Sequence, residues 1–149
     1  MSIKQFTADF AADHVPVWYV TPEVIDSPLT INGCNWSITC LRMNEPYCVL
    51  FRDDLEELPL PQLAPMFENA PIFPEGVHVL FVRVLDNAAL QVRGWLRGTG
   101  EGDPGAEGVC AAAAAAVRAG HVPAETPIPV TAVWTTHLVT VKNDFSVYV

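Results

Sequence analysis

The chain is short of positive charge. Lys and Arg number 8 against 17 Asp and Glu, a formal net charge of -9 over 149 residues. That balance excludes nucleic acid and an anionic membrane surface as partners, since both are held by a basic face. For the protein itself, such a charge serves solubility. No apolar run is long enough to span a bilayer. The start, Met1-Ser2-Ile3-Lys4-Gln5-Phe6, lacks the basic and apolar blocks of a signal peptide, which leaves the cytoplasm as the expected compartment. The Met1 start and a leader of its own argue for a stand-alone chain over a fragment. Cysteine is scarce and wrongly spaced for metal: Cys34, Cys40, Cys48 and Cys110 form no C-x-x-C pair. No metal and no cofactor is expected, and the four thiols read as free, small hydrophobes.

What is present is apolar material for a core. Half the residues are apolar, and 149 residues suffice for one domain, read as 1–149 with residues 1–14 as an N-terminal arm. From Val15 the pattern is β. Val15 to Val20 reads as a strand closed by Thr21-Pro22. Leu29-Thr30-Ile31, Asn32-Gly33 and Cys34 to Cys40 read as a hairpin, because Asn-Gly supplies the two positive φ angles of a type I′ turn. Tyr47 to Phe51 reads as a strand. Leu63, Met66 and Phe67 fall on one face of a short helix from Pro61 to Glu68. Val77 to Leu85 and Ala89 to Leu96 alternate as a half-buried antiparallel pair turned by Asp86-Asn87. Val130 to Trp134, Leu138 to Val141 and Phe145 to Val149 supply the last strands.

Between them runs a glycine-rich loop, Arg97 to Gly108, and then a helix made almost wholly of alanine, roughly Glu107 to Ala119, stopped by Gly120 and Pro123. A helix without a polar face is buried on all sides. Its methyl side chains let neighbours come close to its backbone. The expected fold is therefore α+β: an antiparallel or mixed sheet wrapped around one slim, Ala-rich helix. A surface helix rich in helix formers is the competing reading.

Three segments resemble the carboxy-terminal half of the diaminopimelate epimerase family. Asn69-Ala70-Pro71-Ile72-Phe73-Pro74-Glu75-Gly76-Val77-His78-Val79 is similar to the family's H-P-x-F-P-E-G-x-N-V. Gly94-Trp95-Leu96-Arg97-Gly98-Thr99-Gly100-Glu101 resembles its V-x-E-R-G-x-G-E, and Gly108-Val109-Cys110-Ala111-Ala112-Ala113 its G-A-C-A-A. Leu29 to Gly33 and Met43 to Val49 add support. Nothing corresponds to the family's amino-terminal half. The resemblance implies a sheet around a central helix. It also implies a chemistry in which two cysteines, one from each half, exchange a proton across the substrate's α-carbon, while the loop before the helix receives the α-carboxylate through backbone N–H groups.

Carried over residue by residue, the resemblance implies losses. The family's catalytic cysteine falls on Gly105, and Cys110 matches a packing cysteine within the helix. The carboxylate-cradling G-(S/T) becomes Ala106-Glu107, which places a negative charge where the substrate's would sit. The substrate-contacting Asn becomes His78, the Glu of E-R-G becomes Leu96, and the Asn and His of G-N-P-H become Glu45 and Tyr47. Arg97 and Glu101 keep their motif positions. Two-cysteine epimerisation by this chain alone is not expected.

Two functional readings follow. In the first, the chain is a degenerate, pseudoenzyme-like homodimer that binds a small molecule or a partner, with Arg97, Gly98, Glu101, Glu107 and Gly108 around the ligand. In the second, His78, Tyr47 and Glu45 serve a repurposed isomerase, lyase or cyclase without a thiol. Drift of a dead site is the bland counterpart of both, and for His78 it is a hydrogen-bonded structural histidine. His121 and His137 have weaker claims. Arg97 is either an anion clamp or, as its acidic surroundings favour, an ion-pair partner of Glu101 or Glu107. His78 and Arg97 are expected to line the pocket beside the Gly98–Gly108 loop. Homodimerisation through Trp18, Tyr19, Trp36 or Trp134 competes with a monomer covered by its own arm and with pairing to a separate amino-terminal-half-like protein.

Overall fold

The computed structural model describes residues 3–149. Ten strands form one sheet: β1 (Gln5–Thr7), β2 (Ser27–Ile31), β3 (Cys34–Arg42), β4 (Pro46–Phe51), β5 (His78–Val84), β6 (Leu90–Leu96), β7 (Gly100–Gly102), β8 (Ile128–Ala132), β9 (Thr135–Val141) and β10 (Ser146–Tyr148). Two α-helices, α1 (Leu60–Glu68) and α2 (Gly105–Arg118), and a 3₁₀ turn at Leu55–Glu57 complete the fold. The spatial order is β1-β10-β9-β8-β6-β5-β4-β3-β2, with β7 added on β6. The pairs are antiparallel except β4 with β5 and β6 with β8, so the sheet is mixed.

Those two parallel pairs need crossovers, and the helices supply them: α1 between β4 and β5, α2 between β6 and β8. Both crossovers step one way across the sheet, yet β5 runs antiparallel to β6. A right-handed connection must then place the two helices on opposite faces. The packing agrees. Leu80 and Val82 join the buried cluster of α2, while Val79 and Phe81 join that of α1. Along β4, Tyr47 and Val49 face α2, and Cys48 and Leu50 face α1. This is the period of two that a strand buried on both faces must show. Every residue of α2 from Gly108 to Ala116 is buried.

The Asn32-Gly33 turn has φ of 50° and 78°, as a type I′ hairpin requires. Elsewhere boundaries differ from expectation. The Val15 to Val20 segment is not a strand: Val17 N–H donates to Ala12 O at 2.9 Å and Trp18 N–H to Ile72 O at 2.8 Å, so these amides meet no ladder. Its apolar character serves burial, since Val15 and Val17 are fully inside. In the expected arm, Met1 and Ser2 lie outside the described residues; Gln5 to Thr7 is stitched to β10, with Phe6 opposite Val147. Helix α2 starts at Gly105, earlier than the expected Glu107. The β8–β9 hairpin turns on Val133 and Trp134, with Val133 at a φ of 58°. A β-branched residue is strained there. Trp134 at the tip is 95% exposed. Among the described residues no helix is long and apolar enough to cross a membrane.

Candidate functional site at the start of the alanine helix

Glu107 sits in the first turn of α2, where the helix dipole favours a negative charge. The β3–β4 hairpin reaches over it. Asn44 Nδ2 donates to Glu107 Oε2 at 2.9 Å, the Glu45 backbone N–H to Oε1 at 3.0 Å, and the Tyr47 hydroxyl to Oε1 at 3.1 Å. Three donors on one carboxylate make a built cradle, and Glu107 itself fills it. Burial, and then the Glu107 charge, push the Tyr47 phenol far above its ordinary range, so it stays a donor. The next residue must be small: a Cβ on Gly108 would stand 2.3 Å from Pro104 Cβ. Gly108 thus lets the loop fold tightly onto the helix start.

His78 opens β5 and lies opposite Tyr47 in the parallel register. The two rings are 5.1 Å apart. His78 Nδ1 accepts the Arg97 backbone N–H at 2.9 Å, so in the neutral ring the proton resides on Nε2. Burial lowers the His78 pKa and favours that neutral form. Arg97 does not pair with Glu101 or Glu107. Its Nη2 donates to Glu45 Oε2 at 2.8 Å and its Nη1 to Glu75 O at 2.9 Å. The reason is strand register. Glu101 lies on β7 opposite Trp95, which puts it diagonally across from Arg93, and Arg93 takes it with bonds of 3.0 and 3.1 Å.

The structure therefore gathers Glu45, Tyr47, His78, Arg97, Glu107 and Gly108 at one rim and leaves Glu101 outside it. Gly98 points its amide elsewhere, to Glu68 Oε2 at 2.7 Å, while Trp95 Nε1 donates to Glu68 Oε1 at 2.8 Å. Glu68, the last residue of α1, is a carboxylate that sequence reasoning missed; nothing local marks it. The groove beside the glycine loop, about 320 Å³, is lined by Arg93, Gly94, Glu101, Gly102, Val133 and Trp134, not by His78 and Arg97. Those two are engaged with their neighbours instead. His121 lies apart, its Nε2 3.0 Å from Asp26 Oδ2 and its ring on Phe51. His137 is on β9 opposite Val130.

The thiol nearest this site is equally unsuited to proton transfer. Cys110 is buried, and burial followed by the Glu107 charge raises its pKa to about 12. Gly105, at the head of α2, has a φ of 71°, a backbone that a cysteine would adopt only with strain. Among the described residues no cluster of three or more His, Cys, Asp or Glu could hold a metal ion.

Comparison with known proteins agrees with the motifs. The family model for diaminopimelate epimerase matches residues 39–149. The diaminopimelate epimerase of Moorella thermoacetica is 36% identical over 109 residues, covering 73% of this chain and 39% of its own length. That of Thermosynechococcus vestitus is 41% identical over 98 residues, covering 66% and 34%. The chain thus spans well under half the length of these curated relatives. Among solved structures, a probable proline racemase from Agrobacterium radiobacter K84 shares the fold with a TM-score of 0.55 at 11% identity, over 83% of this chain and 46% of that one. Motif order, matched span and identity converge: this chain belongs to the diaminopimelate epimerase family.

Proposed function

We propose that this chain is a degenerate member of its family, a homodimer that binds a small molecule or a protein partner and does not perform two-thiol epimerisation. In this reading the sheet wrapped around α2 is one half of the family's two-half arrangement. One observation carries it: the Glu107 carboxylate occupies a cradle of three donors at the head of α2, where the family is expected to seat its substrate's carboxylate. Gly105, with no side chain, stands where the proton-transferring thiol belongs. Acid–base chemistry at a carbon needs a positioned group of suitable pKa, and neither feature leaves one. The test is α-hydrogen exchange. Diaminopimelate in deuterated buffer, followed by proton NMR, should exchange no faster with the protein than without it. Washout above the protein-free control would overturn the proposal.

The homodimer rests on exposed apolar side chains. Trp18 is 68% and Leu138 64% exposed. Tyr19 and Trp36 are half-buried, and Tyr19 donates its hydroxyl to Pro28 O. Light scattering at micromolar concentration should give twice the 16.2 kDa chain mass. A mass of one chain would sink the dimer while leaving the binding reading open.

A second reading has one observation in its favour, the adjacency of Tyr47 and His78. It makes His78, Tyr47 and Glu45 the working groups of a non-thiol isomerase, lyase or cyclase. Against it, Tyr47 is bonded to Glu107, Glu45 to Arg97, and His78 Nδ1 to the Arg97 amide. If an activity is found, His78→Ala should lower it at least about tenfold under this reading. An unchanged rate would return His78 to a structural role.

A further inference from the structure

Cys40 and Cys48 face each other across β3 and β4. Both are fully buried, and both belong to the cluster on the α1 side of the sheet, away from the Glu107 cradle. Opposed residues of an antiparallel pair alternate between a wide, hydrogen-bonded spacing and a narrow, non-bonded one. The backbone tells which this is. Cys40 N–H donates to Val24 O at 2.9 Å, and Arg42 N–H, two residues on, to Asp9 O at 2.8 Å. Both amides point away from β4. Arg42 stands opposite Pro46, which has no N–H to return. Cys40 and Cys48 are therefore a narrow pair, with an expected Cα separation of ~4.5 Å, inside the ~4.4–6.8 Å span that a disulfide bridges. Their side chains leave the sheet on the same face, since directly opposed residues share one. Burial, with the Cys48 thiol beside it, pushes the Cys40 pKa well up.

We propose that Cys40 and Cys48 are a preset dithiol that closes into a cross-strand disulfide without loss of the fold. The oxidant is a low-molecular-weight disulfide. A thiolate of one cysteine attacks it, forming a mixed disulfide and releasing one small thiol. The second cysteine then attacks the protein-bound sulfur and releases the other, so two protein thiols are oxidised and one disulfide is reduced to two thiols. Complete burial makes the first step wait on an opening of the α1 face; the second is intramolecular. The ring so formed holds the hairpin turn that presents Asn44 and the Glu45 amide to Glu107. The Cys110 thiol lies on the opposite face of the sheet, and Cys34 stands exposed at the far end of β3, so neither competes for the pair. This inference stands independently of the proposed function.

The test uses the full chain with Cys34→Ser, which removes the exposed thiol. It is incubated with oxidised glutathione below the unfolding midpoint in urea, then alkylated and mapped by mass spectrometry. The expected result is a loss of two hydrogens (~2 Da) and a Cys40–Cys48 cross-linked peptide, with native circular dichroism and a melting temperature at or above that of the reduced form. Adding Cys40→Ala should abolish the linkage. Cys40 and Cys48 both recovered as free thiols, alongside Cys110, after prolonged exposure would overturn the proposal. So would a bond that forms only in fully denaturing urea, or an oxidised protein that has lost its native spectrum. Should Cys40→Ala fail to fold, Cys48→Ala serves the same purpose.

Discussion

The two helices of this molecule cover the two faces of one sheet by opposite means. Helix α1 is amphipathic and presents large side chains. Phe67 meets Trp36 and Phe81 edge to face, at ring separations of 5.3 and 6.2 Å. Helix α2 presents methyl groups, and Ala111 to Ala116 are all fully buried. The strands between them supply similar branched residues to both sides, so the contrast lies in the helices. One face is filled by side-chain volume, the other by close approach of backbone. Area stabilises the first; absence of bulk permits the second.

The contrast can be broken from either side. The largest effect is expected at Phe67→Ala, which empties a fully buried site and should cost about 3–5 kcal/mol in denaturant unfolding. A loss within the noise of a surface substitution would mean that α1 is dispensable cover. On the other face the danger is addition. Ala113→Leu should overpack and cost about 1–3 kcal/mol, and an unchanged melting temperature would refute the close-packed helix.

At the rim between the faces the effect is smaller and depends on pH. His78 titrates lower in the folded chain than in the unfolded one. The unfolded state then binds more protons on this side chain. The resulting stability is present above the ordinary histidine pKa, near ~6.5, and is lost as pH falls from there through the depressed value. His78→Gln should flatten the melting temperature between neutral and mildly acidic pH; an unaltered profile would show that the ring does not carry it. The smallest effect is none at all. Cys110, packed on the backbone-lined face with its pKa raised to about 12, should stay unlabelled by a thiol reagent that modifies the exposed Cys34. Rapid labelling would contradict the packing of α2.

The sequence read well where the physics is local. Asn32-Gly33 announced its hairpin because positive φ is a property of those two residues. The burial of α2 was legible in its lack of a polar face, and the half-burial of β6 in its alternation. Strand β5, expected to be half-buried as well, is instead covered on both faces, because a helix packs on each side of it. It read poorly where distant segments decide. Gln5 to Thr7 carries no strand signal of its own and is held by its pairing with β10. Val15 to Val20 looked like a strand because it is apolar, but its backbone satisfies itself elsewhere. At the site, motif order put Glu107 at the head of the helix. It could not reveal that Asn44, Glu45 and Tyr47 would converge on that carboxylate from another hairpin, nor that Arg97 would choose Glu45. Those choices depend on register between strands far apart in the chain.

The turn of the β8–β9 hairpin has an optical consequence. Trp134 at its tip is almost wholly in water and Trp18 is largely so, whereas Trp36 and Trp95 are half-buried, with Trp95 bonded to Glu68. With Trp18→Phe, the exposed emission belongs to Trp134. An indole in water emits to the red and is open to collisional quenching by iodide. Trp134 thus serves as a built-in lamp on that face. Whatever seats itself over the grooves lined by Val133 and Trp134 will shift that emission to the blue and shield it from the quencher, with no label attached to the protein.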